Sequence, residues 1–157
     1  MQGSPRVMKL LGDLLAAELA AVNTYFIDAK LRSNWGFPEL AKKAYDESMG
    51  EMRHAERLIE RIVYFDEVPN MQRLNRVKAG ATVTEQFENQ LDIETTTVTS
   101  IVDGIKLCTE DGDDGTRLLL EPMLTDGEEA IDWLETQLAL VARLGEPAYL
   151  AEYIRGE

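Results

Sequence analysis

The sequence predicts an all-α protein: a bundle of four long helices, one long crossover and a short fifth helix at the C-terminus. Three observations carry this. Apolar residues recur at spacings of three and four through most of the chain, the signature of one helix face. Proline, glycine and short polar caps cut that pattern into long segments. No stretch shows the apolar–polar alternation of a strand, and there is no internal repeat or low-complexity run.

The elements follow in order. Ser4-Pro5 reads as the cap and first-turn proline of the first helix, which Asn34-Trp35-Gly36 ends. Pro38 opens the second, predicted to run to about Asp66. Thr82-Val83-Thr84-Glu85 is a capping box that opens the third. Gly112-Asp113-Asp114-Gly115 turns the chain into the fourth helix, which runs to Leu144 with Gly145 as its stop, and Pro147 starts the fifth. The first and last helix pairs have short links, so each pair is antiparallel. Between the second and third helices lie Val68 to Ala81. At ~3.3 Å per extended residue this segment reaches about 46 Å, and a helix of ~27 residues is about 40 Å long. The link therefore crosses the whole bundle and makes those two helices parallel, the ferritin-like topology.

The 157 residues, 45% hydrophobic and 29% charged, suit one globular domain spanning 1–157. A net charge of −13 argues against nucleic-acid binding and is compatible with attracting cations. Cys108 is the only cysteine, which excludes an internal disulfide and fits a cytoplasmic location. The N-terminal run lacks the apolar core of an export signal, and no apolar run is long enough to suggest a membrane span.

The chemistry lies on the inward stripes. The first helix gives Val7, Leu11, Leu14, Glu18, Ala21, Tyr25; the second Ala44, Glu47, Glu51, His54, Leu58. The third gives Phe87, Leu91, Glu94, Val98, Ile101, Ile105, Cys108; the fourth Leu120, Met123, Gly127, Ala130, Leu134, Val141. Three helices aim an acid or the sole histidine, His54, at the axis, and the fourth aims nothing. Glu51 and His54, three apart, share a face. Buried unpaired carboxylates cost several kcal/mol each. A divalent cation, protonation or water must relieve Glu18, Glu51 and Glu94, and carboxylate with imidazole suits iron, manganese or zinc. A second apolar stripe on the second helix (Tyr45, Met49, Met52, Ile59, Val63) and one on the first (Leu15, Leu19, Val22, Phe26) predict a partner surface. A two-fold axis there sets Met52 opposite its copy.

With Asn34-Trp35-Gly36, Glu51-Met52-Arg53-His54-Ala55, Arg57-Leu58-Ile59-Glu60-Arg61-Ile62 and Ile131-Asp132-Trp133-Leu134-Glu135 in this order and spacing, the chain resembles bacterioferritin, the haem-containing ferritin branch, from Met1 to Arg155. The resemblance implies a shell of two dozen subunits storing ferric mineral, with an intra-subunit di-iron site that oxidises Fe(II) with O2. Glu18, Glu51 and His54 fall on the first-iron ligands, Glu51 bridging, and Glu94 on a second-iron ligand. A bridging glutamate and a second histidine belong where this chain has Gly127 and Ala130, so the second iron position is expected to be missing. Glu128 and Glu129, turned about 100° and 200° from Gly127, are expected to point away. Met52 matches the axial ligand of a b-type haem shared across the dimer, and Tyr25 a redox-active aromatic. The resemblance also implies a ferredoxin-like electron donor. The expected protein is a haem-binding storage subunit with weak or no ferroxidase activity of its own, co-assembling with an active sister chain. The alternatives are a homopolymer with residual ferroxidase activity and a cage without metal chemistry.

Overall fold

In the computed structural model, which describes residues 2–154, the chain folds as α1 (Pro5–Asn34), α2 (Pro38–Tyr64), α3 (Val83–Glu110), α4 (Asp114–Leu144) and α5 (Glu146–Ala151), with no strand among the described residues. Met1 and Arg155, the ends of the resemblance, lie outside them. The caps form as their residue types require. Ser4 Oγ accepts from the Val7 amide at 3.1 Å, Thr82 Oγ1 from Glu85 at 3.1 Å and Asp113 Oδ1 from Thr116 at 3.0 Å. α2 stops two residues before the expected Asp66, because Asp66 turns into the left-handed region at φ 62°.

The helix directions follow from cross-helix contacts. Ser48 Oγ donates to Val22 O across α1 and α2, and His54, later on α2, lies against Glu18, earlier on α1. Early α1 meets late α3 through Arg6 and Asp111, and late α1 meets early α3 through Arg32 and Gln86. Late α2 meets early α4 through Arg61 and Asp113. α1 is thus antiparallel to both α2 and α3, so α2 and α3 run parallel and the crossover spans the bundle, as expected. The crossover is pinned along its course. The Asn75 amide donates to Ala16 O at 3.3 Å, Arg73 pairs with Asp13 at 2.7 Å, and the Gly80 amide donates to Asp28 Oδ1 at 3.4 Å.

Two apolar clusters fill the interior. One gathers Leu11, Leu14, Leu58, Ile62, Phe65, Ile101 and Leu120; the other gathers Leu40, Val83, Phe87, Leu134 and Tyr149. A polar layer lies between them, with Glu18, Asp28, Arg32, Glu51, His54, Gln86, Gln90 and Glu94 all buried.

Two expectations need correction. The buried face of α3 is Gln86, Phe87, Gln90, Glu94, Thr97, Ile101, Gly104 and Cys108, whereas Leu91, Val98 and Ile105 are half-buried. The polar residues win the inner positions because Arg32 and Asp28 of α1 satisfy them: Arg32 Nε donates to Gln86 Oε1 at 2.7 Å and Gln90 Nε2 to Asp28 Oδ2 at 2.9 Å. α1, for its part, is long and apolar enough to cross a membrane by length and composition, contrary to the sequence reading. Half of its apolar window is packed inside the bundle, and its inward face carries buried Glu18, Asp28 and Arg32.

Candidate metal centre

Each helix sets one edge of the site. α1 supplies Glu18, one to two turns before Tyr25; α2 supplies Glu51 and His54, one turn apart; α3 supplies Glu94. All are buried, at 1% exposure for Glu18 and at most 8% for the other ligand candidates. One ligand atom each from Glu18, Glu51 and His54 lie within 4.8 Å of one another. His54 Nδ1 stands 3.3 Å from Glu51 Oε2 and 3.6 Å from Glu18 Oε2. Glu18 Oε2, fully buried, accepts no hydrogen bond among the described residues. A buried carboxylate oxygen left without a donor costs several kcal/mol, so this atom fits an added cation. Behind it, the Tyr25 hydroxyl donates to Glu94 Oε1 at 2.7 Å.

The electrostatics describe a pocket that has taken up protons. Burial pushes the Glu51 carboxyl up to about 8, reinforced by the neighbouring Glu18 charge. Burial, with the charge of Glu51, raises Glu94 well above the carboxylate range. Burial and Glu94 likewise raise Tyr25. Burial alone would lower the His54 imidazolium, but the Glu18 and Glu51 carboxylates close to its Nδ1 outweigh it and carry His54 up to about 11. Protons on His54 and on the raised Glu51 and Glu94 carboxyls therefore offset the negative charge gathered here. A metal that binds must displace them.

α4 completes the site differently from the sequence reading. Gly127 and Ala130 face inward and are buried, as expected, and carry no donor atom. α4 does, however, send an acid to the site: Asp126 Oδ2 lies 2.8 Å from His54 Nε2. Residue-level periodicity missed it because Asp126 sits one residue off the inward stripe, and its side chain is 58% exposed. Such a carboxylate fixes the tautomer and ring orientation of a ligating histidine, turning Nδ1 toward Glu18 and Glu51. Glu128 and Glu129 are exposed, and α4 runs as one helix through Pro122. Glu129 lines a cavity of about 250 Å³ together with Glu47, Glu51, His54 and Asp126, so it stands at the mouth of the site and not on its inner wall.

The second apolar face is exposed in part: Phe26, Tyr45, Met52 and Val63 are exposed, Leu19, Val22, Met49 and Ile59 are half-buried, and Leu15 is buried in the core. Phe26, Tyr45 and Met52 are each about two-fifths exposed, and the Phe26 and Tyr45 rings lie 6.2 Å apart.

A carboxylate–imidazole site buried inside a four-helix bundle with one long crossover defines a ferritin-like protein, and a family model for the ferritin-like domain matches residues 8–144. The bacterioferritin of Mycobacterium leprae is 46% identical over 154 residues, covering 98% of this chain and 97% of its own length. That of Streptomyces coelicolor is 43% identical, with 98% and 92% covered. The solved structure of Mycobacterium tuberculosis bacterioferritin BfrA superposes with a TM-score of 0.96 at 45% identity, over 99% of this chain and 98% of that one. The chain belongs to the bacterioferritins.

Proposed function

We propose that the chain is a subunit of an iron-storage shell whose internal site, Glu18, Glu51 and His54, holds one metal ion. Glu94 and Tyr25 flank that ion, the Tyr25 hydroxyl donating to the Glu94 carboxyl. The observation that carries this reading is the orphaned Glu18 Oε2 near His54 Nδ1, in a site to which the buried α4 positions Gly127 and Ala130 bring no donor. Two irons bridged by carboxylate give two electrons to O2 together, whereas one iron gives one, so this subunit alone oxidises Fe(II) slowly. Anaerobic titration of the purified shell with Fe(II) is expected to reach one equivalent per subunit at the internal site. A rapid aerobic phase consuming two Fe(II) per subunit overturns it.

Met52 is proposed as the axial ligand of a b-type haem held between two copies of the chain. Met52 is two-fifths exposed, two turns along α2 from the equally exposed Tyr45, which fits an apolar macrocycle shared across a two-fold. Bound there, haem supplies reversible one-electron chemistry, which suits reductive release of stored iron with a ferredoxin-like donor. Haem-loaded protein is expected to show a Soret band that Met52→Leu shifts or abolishes.

The whole assembly is proposed as a shell of two dozen subunits in which this chain is mixed with a ferroxidase-active sister. A homopolymer with residual oxidation is the second reading, favoured by Asp126 and Glu129 at the mouth of the site. Mass analysis of shells purified from the source organism separates the two.

A further inference from the structure

The two α4 positions without donors are not alike. Ala130 lines the mouth cavity, so a longer side chain there has room to grow into. Gly127 has none. A Cβ built on it falls 2.6 Å from Val98 Cγ2 and 3.9 Å from Glu94 Oε2. Carbon atoms do not approach to 2.6 Å, so any side chain at 127 must displace Val98. Val98 lies one helical turn beyond Glu94 on α3 and leans over the same edge of the site. It cannot simply swing aside, because a β-branched side chain in a helix holds one strongly preferred rotamer. Backbone preference does not explain the glycine either. Gly127 lies in mid-helix with no left-handed backbone, where alanine is otherwise the better residue by about 1 kcal/mol.

We propose that Val98 closes the second metal position of this subunit against any side chain at residue 127. Its Cγ2 methyl fills the volume from which a fourth-helix acid would bridge toward Glu94, so the second metal position is closed by packing as well as stripped of ligands. This rests on the one-metal reading above. It adds that restoring donors at 127 and 130 is not enough.

The test uses the assembled shell and Co(II) as probe, with stoichiometry read by calorimetry and metal positions by anomalous diffraction. The unaltered chain is expected to bind one Co(II) per internal site. Gly127→Glu with Ala130→His is expected to bind one still, and the same pair with Val98→Ala to bind two. Two Co(II) in the pair that retains Val98 overturns the proposal, and so does one Co(II) in a folded shell of the triple variant. Two Co(II) in the unaltered chain sinks the underlying one-metal reading instead, which keeps the two failures apart. A metal-free measurement guards against misfolded variants. Gly127→Ala is expected to lower the melting temperature when Val98 is present and to raise it when residue 98 is alanine. The same sign in both backgrounds overturns the plug.

Discussion

At the scale of single residues, His54 holds the site together. It meets Glu51 and Glu18 through Nδ1 and Asp126 through Nε2. Asp126→Asn removes the charge that orients the ring, and is expected to weaken Zn(II) binding by about 10–100-fold, measured by competition with a chromophoric chelator. The proton inventory gives a second prediction. Both Glu51, at about 8, and His54, at about 11, hold protons in the folded chain at pH values where the unfolded chain has lost them. The native state then binds more protons, so the stability of the metal-free protein falls as pH rises from about 4.5 toward 11. The melting temperature without metal is expected to drop between pH 5.5 and 8.5, and added Zn(II) to restore it most at the high end. Binding is expected to release protons, seen as a dependence of calorimetric heat on buffer ionisation enthalpy. Glu18, Glu51, His54 and Glu94 were legible from periodicity because each interrupts an apolar stripe on its own helix. Asp126 was not, because contact from an exposed position one residue off the stripe depends on where the partner ring projects, and spacing carries no information on that.

At the scale of elements, the crossover is held by a buried polar knot. Arg32 donates to Gln86, to Leu40 O and to Gln90, while Asp28 accepts from Gln90 and from the Gly80 amide. The guanidinium also lies over the Phe87 ring, 5.0 Å from its centroid. Burial presses Arg32 down to about 10 and Asp28 upward from its ordinary value, and the attraction between their opposite charges opposes both shifts. Arg32→Leu leaves Asp28 buried without it and is expected to cost about 3–5 kcal/mol in urea unfolding. Gly80 closes the same knot, since a Cβ there meets the Gln86 backbone nitrogen at 2.8 Å and its Cγ at 2.5 Å. Gly80→Ala is expected to cost about 1–3 kcal/mol. The helices and their ends were readable from Pro5, Pro38, Thr82 and Gly145. The occupants of the inner α3 positions were not, because Gln86 and Gln90 look like surface residues until Arg32 and Asp28 are placed opposite them.

At the scale of the whole molecule, the exposed face of Phe26, Tyr45 and Met52 matches the partner stripe read from the sequence. Tyr45→Glu places a charge at its centre and is expected to shift the shell toward smaller species in analytical ultracentrifugation, with the helical circular dichroism unchanged. The topology has a further consequence. Residues from Val68 to Leu74 are largely solvent-exposed, yet the crossover beyond this tip is tied down at Asn75 and Gly80. A protease that nicks the tip severs the only covalent tether between the two helical hairpins without loosening their shared interior. The cleaved fragments should stay associated through gel filtration, so the molecule lends itself to assembly from two separately made halves.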